Sequence, residues 1–163
     1  MRYRNWVGVA LAFAVAFSVE VAAAPIPPTR RDTQDAEKLC GEWTLVRHLQ
    51  PDGTVVRHAE GNIGNSHFLL RIGNGKVVQE YDFGDPSLEI TWDVGLDLAA
   101  TPKRIDLTVA DVVDPRKGKV RRGIYQFDGE RLILALAAFD ASAPAGFEPG
   151  RDRDVYELKR VGK

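Results

Sequence analysis

The fold is decided by one stretch of the sequence, Leu39-Cys40-Gly41-Glu42-Trp43-Thr44-Leu45-Val46. It places a bulky indole two residues after a glycine, where apolar and polar residues begin to alternate as in a half-buried strand. A short polar segment with helical signals precedes it, because Asp32 can cap one or two helical turns over residues 33–39. We expect Trp43 to close one end of a small β-barrel formed by the strands that follow.

From Trp43 onward the chain consists of short alternating segments separated by turn residues. The clearest cue is Gly73-Asn74-Gly75 between two apolar runs, because an Asn-Gly pair supplies the positive φ angles of a tight hairpin turn. Asp128-Gly129 predicts a second hairpin. Residues 61–65 are expected to interrupt the regular secondary structure. The predicted strands are 43–49, 54–58, 67–72, 76–83, 88–94, 105–109, 120–127, 131–139 and 155–160.

The strand pattern predicts an all-β protein, an up-and-down antiparallel barrel of about eight strands with a short N-terminal helix. Closure would remove the exposed edges that invite aggregation. In the last strand Arg160 shares the phase of Tyr156 and Leu158, so antiparallel pairing with the first strand would bring it to Trp43. Such a cation-π contact is worth about 0.5 to 2 kcal/mol. The alternative is a solvated terminal arginine. Gly41, Trp43 and Arg160 are the predicted structural plug.

The N-terminus has the features of a secretory signal peptide over residues 1–23. Arg2 and Arg4 form a positive region before an apolar run, and small residues near Ala23 suit cleavage there. Glu20 interrupts the apolar run before it reaches the roughly 20 residues of a membrane span. The sequence therefore predicts a periplasmic or secreted protein, with no membrane span after cleavage.

The composition of the full chain limits the class of protein. The 163 residues are 44% hydrophobic and 28% charged, as in ordinary soluble domains, and the net charge of -1 gives no footprint for nucleic acid. We expect a Pro-rich tether over residues 24–32 and one barrel domain over residues 33–163, acting as a monomer. Cys40 is the only cysteine, so no internal disulfide can form, and we expect it to be a small buried side chain.

Five blocks span nearly the whole predicted mature chain: Leu39-Cys40-Gly41-Glu42-Trp43, Pro102-Lys103-Arg104-Ile105-Asp106-Leu107-Thr108, Gly118-Lys119, Gly123-Ile124-Tyr125-Gln126-Phe127-Asp128-Gly129-Glu130-Arg131-Leu132 and Leu158-Lys159-Arg160. These blocks resemble a lipocalin-like domain family of uncharacterised exported proteins that is abundant in planctomycete bacteria. The Gly-x-Trp of the opening stretch is similar to the lipocalin-like signature. The resemblance implies a lipocalin-like barrel and carries no assigned catalytic residues.

The chain departs from that family at three places. Cys40 stands where the family often has Gln, and Glu130 stands where it often has Asp. Ala143-Pro144-Ala145-Gly146-Phe147 replaces an Arg-Pro-x-x-Phe segment, so any anion contact made by that arginine in relatives is missing here.

A few polar and aromatic side chains share the phase that is predicted to face the barrel interior. An apolar pocket with a few convergent polar groups is typical of small-molecule sites, so an acidic amphiphile with its head group near Arg47 would fit. The alternative is a filled interior with Arg47 turned outward at a β-bulge. The candidate ligand-binding residues are Arg47, Gln79, Tyr81, Trp92, Tyr125 and Tyr156.

No motif for catalysis, a metal or a cofactor is found. His48, His58 and His67 lack ligand spacing, and His48 has the outward phase. The basic run over residues 116–122 is interspersed with aspartates and predicts a solvated turn. Two functions remain. The protein holds a small apolar or amphiphilic ligand inside the barrel, or it is an interaction or scaffold domain with a filled core that uses the outer face or the loop at 140–151.

Overall fold

The computed structural model describes residues 30–57, 62–63, 66–82 and 88–162. The predicted signal peptide, most of the tether and His58 lie outside the described residues. Within the described ranges the chain is one helix, α1 (Arg30–Leu39), and ten strands. The strands are β1 (Gly41–Leu49), β2 (Val55–Arg57), β3 (Asn62–Ile63), β4 (Ser66–Gly73), β5 (Lys76–Asp82), β6 (Leu88–Asp97), β7 (Lys103–Val109), β8 (Val120–Asp128), β9 (Arg131–Phe139) and β10 (Arg153–Arg160).

Eight of these strands close into an antiparallel barrel. The order runs β1-β10-β9-β8-β7-β6-β5-β4, and β4 pairs back onto β1. The short strands β2 and β3 extend β1 and β4 at one end. Apart from the pairs β1–β4 and β1–β10, neighbouring strands in the barrel are also consecutive in the sequence. The predicted up-and-down barrel is therefore confirmed.

Turn chemistry explains the register of the hairpins. Asn74 and Gly75 have φ angles of 53° and 70°, as the predicted tight turn requires, and β4 pairs with β5 from Gly73–Lys76 outward. Gly129 has a φ of 59° between β8 and β9. Both predicted hairpins are confirmed.

Several strand bounds shift by two or three residues, and the largest differences from the predicted elements are the helix and one added strand. Helix α1 begins at Arg30, before the predicted cap Asp32, and is ten residues long rather than one or two turns. Strand β3 lies in the segment that was expected to be a break, where Asn62 pairs with His67. No helix among the described residues has the length and apolar character needed to cross a membrane.

A β-bulge in β1 reverses the phase of its second half. Leu45 is paired with Leu158, whereas Arg47 is paired with Glu157, so Val46 is an extra residue. Beyond this point Arg47 faces outward and forms an ion pair with Glu157, and the Nε–Oε2 distance is 2.9 Å. The inward placement of Arg47 and the outward placement of His48 were therefore wrong, and the predicted alternative of a bulge is correct.

The core has two parts. The larger one fills the barrel and is formed by buried side chains from all eight strands, together with Leu39 of α1. The smaller one lies on the outer face, where Ile124, Ala135 and Val155 are covered by Phe147 of the β9–β10 connection. This second cluster attaches the long connection to the barrel wall.

Candidate functional site

One end of the barrel is closed by Trp43, whose side chain is buried. The Arg160 guanidinium lies over the indole, with its central carbon 4.4 Å from the ring centroid. The indole Nε1 donates to the Leu39 carbonyl at 2.9 Å, and Arg160 Nη1 donates to the Cys40 carbonyl at 2.8 Å. Arg160 Nη2 also donates to the carbonyl of Lys38. The predicted antiparallel pairing of the first and last strands, with Arg160 over Trp43, is confirmed.

Gly41 is required at this closed end for two reasons. Its φ of 138° lies in a region that residues with a Cβ atom rarely adopt. A methyl group at this position would also overlap Nη1 of Arg160. The glycine of the Gly-x-Trp pattern thus makes room for the arginine that covers the tryptophan.

The barrel interior is nearly full. The cavity among its core side chains, lined by Phe68, Trp92 and Tyr156 among others, has about 20 Å³ that water can occupy. This is enough for one or two water molecules, since each needs roughly 10 to 15 Å³. Pockets that hold drug-sized ligands are on the order of 300 to 1,000 Å³. In this conformation the interior has no room for an amphiphile.

The structure brings most of the predicted ligand-binding residues together. Gln79, Trp92 and Tyr156 line the small interior cavity. The Gln79 amide donates to the Tyr81 hydroxyl, and the Tyr81 ring packs edge-on against Phe68 at 5.1 Å. Tyr125 is buried in the same core, whereas Arg47 is on the opposite face of the barrel wall.

A charged network that the sequence analysis did not find lies inside the barrel, toward the end opposite Trp43. His48 Nε2 is 2.9 Å from Asp154 Oδ1, and Arg121 Nη2 donates to Asp154 Oδ2 at 2.7 Å. The His48 ring stacks on Tyr156 with the centroids 4.5 Å apart. The strand phase of Asp154 with Tyr156 was the available signal, because both belong to the inward face of β10.

The protonation of this network follows from burial and pairing. Burial raises the pKa of Asp154, but hydrogen bonds from His48 and Arg121 outweigh it and hold that pKa below its usual value. Burial raises the pKa of the Tyr156 hydroxyl well above its usual value, so Tyr156 is neutral. The network is a charged Asp154 held between two donors.

Arg121 has few donors left for a ligand. Its Nε donates to the Ala137 carbonyl at 2.8 Å, and its Nη2 reaches the Leu136 carbonyl at 3.2 Å in addition to Asp154. A cation that already contacts two carbonyls and a carboxylate is a poor receptor for a further anion. The network therefore stabilises the barrel rather than presenting an open charge.

Concave surfaces are found outside the barrel. A polar groove of about 560 Å³ over β6 to β8 contains both aspartates and arginines, including Asp106 and Arg122, and has no dominant sign of charge. A less polar cleft of about 640 Å³ lies between α1, the start of β7, the end of β8 and the β9–β10 connection. We call it the helix cleft. Its lining residues are Asp35, Lys38, Ala100, Thr101, Pro102, Lys103, Tyr125, Gln126, Phe127, Ala145, Gly146 and Phe147.

The side chains that could hold a metal are dispersed. Across the described part of the chain no three His, Cys, Asp or Glu side chains form a group suited to an ion. Cys40 is exposed, so the prediction of a buried thiol was wrong. Its neighbour Leu39 takes the buried position at the helix end instead.

Comparison with known proteins supports the fold. Neither a protein family model nor a curated protein matches the chain. Among solved structures, the chain is similar to a lipocalin-like protein from Bacteroides uniformis, with 14% sequence identity and a TM-score of 0.50, over 76% of this chain and 99% of that one. At this level of identity the likeness shows a lipocalin-like barrel fold, as predicted. Membership of the planctomycete family stays a prediction.

Proposed function

We propose that this protein is an exported recognition domain that binds its partner on the outer surface of the barrel. The interior then serves as a structural core. The single observation that carries this proposal is the interior volume of about 20 Å³, which matches the predicted filled core and leaves no space for a carried ligand. The outer surface, in contrast, has preformed concave regions of several hundred Å³.

The interior charges support the same proposal. Asp154 is paired with both His48 and Arg121, and Arg121 is also bonded to backbone carbonyls. A ligand head group would have to break these contacts to enter. These charges are partly buried, so separating them would cost free energy unless the ligand replaced the lost partners.

Tryptophan fluorescence of the purified protein tests this proposal. Titration with a long-chain fatty acid should leave the emission of the buried Trp92 unchanged, because the acid cannot reach it. A Trp92→Phe variant is the matched control that identifies the share of the signal due to this ring. Saturable quenching that disappears in the variant would contradict the filled-core proposal.

A second candidate function, an amphiphilic ligand inside an opened barrel, is favoured by one observation. The indole Nε1 of Trp92 is buried and has no hydrogen-bond partner among the described residues, and Trp92 lines the interior cavity beside Gln79. Buried donors are usually satisfied, so a ligand oxygen at this point would be stabilised. Native mass spectrometry of protein from its own source would show such a ligand as a bound mass.

Export is part of the proposal and rests on residues 1–23. Intact-mass analysis of protein recovered from cells should give a chain that begins at Ala24. Recovery of the chain with Arg2 and Arg4 still attached, in the cytoplasmic fraction, would contradict it.

A further inference from the structure

We propose that the helix cleft binds a small planar molecule that carries one carboxylate. This inference rests on the proposed use of the outer surface for recognition. It assigns that recognition to one concave site and gives its ligand a chemical class. Volume, wall chemistry, charge and rigidity each support it.

The volume and the walls suit a planar apolar group. The cleft measures about 640 Å³, within the range of about 300 to 1,000 Å³ that small-molecule pockets occupy. Phe127, Phe147 and Pro102 are among its lining residues, and both phenylalanine side chains are half-buried. Aromatic rings favour stacked or edge-on contact with another ring, so a flat ligand is better suited than a flexible chain.

The charges select a single negative group. Lys103 forms an ion pair with Asp35, which cancels the charge of both side chains. Lys38 makes no ion pair with any described carboxylate; its Nζ is 4.3 Å from the Phe127 ring centroid and donates to the Gly129 carbonyl at 3.3 Å. Among the charged lining residues of the cleft, Lys38 therefore carries the one uncompensated positive charge, and it lies over the Phe127 ring.

Both sides of the cleft are held in place without a ligand. On one side, Arg160 bonds to the carbonyls of Lys38 and Cys40 and fixes the end of α1. On the other, Phe147 packs on the outer cluster and Arg153 Nη1 donates to the Gly146 carbonyl at 3.2 Å. A preformed site reduces the ordering cost of binding.

Isothermal titration calorimetry with 2-naphthoate tests the proposal on the full chain. We expect saturable one-to-one binding, and weaker binding of the neutral 2-naphthamide. Ala145→Trp adds a ring at an exposed position of the lining without removing a core contact, and it should lower the affinity about tenfold or more by filling the cleft. Normal thermal unfolding of this variant would show that it is folded.

The charge is tested separately. Lys38→Gln should weaken naphthoate binding about fivefold, as expected for a partly exposed ion pair, and should leave naphthamide binding unchanged. Lys117→Gln, an exposed lysine at the other end of the barrel, is the matched control and should have no effect. Equal losses for both ligands, or equal losses in both variants, would overturn the charge assignment.

The outcomes separate this inference from the proposed function. Naphthoate binding that resists Ala145→Trp and quenches Trp92 would place the ligand in the interior and overturn both. Absence of binding up to millimolar concentration, with no quenching of Trp92 by fatty acid, would overturn only the cleft site and leave outer-surface recognition standing.

Discussion

Replacing Gly41 with alanine tests the contact between the first and last strands of the barrel, β1 and β10. At a φ of 138° an alanine is strained, and such backbone strain costs about 1 to 3 kcal/mol. The added methyl group would also overlap Nη1 of Arg160 and displace the guanidinium from its position over Trp43. Gly41→Ala should therefore destabilise the fold in two ways, through backbone strain and through the loss of the Arg160 contacts.

The free energy that the Arg160 contacts contribute can be estimated from the geometry. The guanidinium is 4.4 Å from the indole centroid, and a cation-π contact is worth about 0.5 to 1 kcal/mol where the cation is still partly exposed. Its hydrogen bonds to the carbonyls of Lys38 and Cys40 add about 1 kcal/mol at such a site. We expect Arg160→Ala to cost about 1 to 2 kcal/mol and Gly41→Ala about 2 to 5 kcal/mol in free energy of unfolding.

A double-mutant cycle followed by urea unfolding isolates the contact. If the methyl group acts by displacing the guanidinium, Gly41→Ala should cost about 1 to 2 kcal/mol less when Arg160 is already alanine. The remaining cost is the backbone strain alone. Strictly additive effects of the two substitutions would refute the steric reasoning, and a cost below about 0.5 kcal/mol for Gly41→Ala would refute both terms.

Three further predictions concern the core and its charges. Trp43→Ala should lower the free energy of unfolding by about 3 to 5 kcal/mol in urea titrations, because it removes the buried plug. Because the pKa of Asp154 is lowered in the folded state, the stability it contributes is present above pH about 4 and is lost as pH falls further; Asp154→Asn should flatten this dependence in thermal unfolding. Glu157→Gln should cost about 1 kcal/mol, because the buried carboxylate pairs with two partly exposed arginines, and 1 M NaCl should reduce that difference.

The sequence predicts the barrel well because its hairpins follow from local turn residues and the facing of its strands follows from simple alternation. Asn74-Gly75 sets a hairpin by its own φ preferences, and the neighbouring register follows from it. Strand β10 alternates without interruption from Tyr156 to Arg160, so the position of Arg160 could be predicted by counting in twos. The meeting of Trp43 and Arg160 needed only these two strands to pair.

The candidate site was harder to predict because one residue changed the phase of β1. Val46 is an ordinary β-branched residue with no glycine or proline beside it, so the bulge has no marker in the sequence. The residues beyond Val46 were therefore predicted to be on the wrong face of β1: Arg47 was placed inside and His48 outside, the reverse of the structure. The outer cluster under Phe147 was also missed, because a loop covering a sheet has no periodic pattern.

The two bulges explain how the charged network at one end of the barrel is assembled. A second register shift lies between β8 and β9, where Arg121 pairs with Phe139 and Gly123 with Leu136. Bulges leave backbone groups without ladder partners, and Arg121 donates to the Leu136 and Ala137 carbonyls at this point. The bulge in β1 turns His48 inward to meet the same Asp154 that Arg121 contacts. Both irregularities are thus compensated by one partly buried network, which lies at the end of the barrel opposite Trp43. A filled interior is what the proposed recognition on the outer surface requires, and the helix cleft on that surface has hydrogen bonds that hold its walls on both sides.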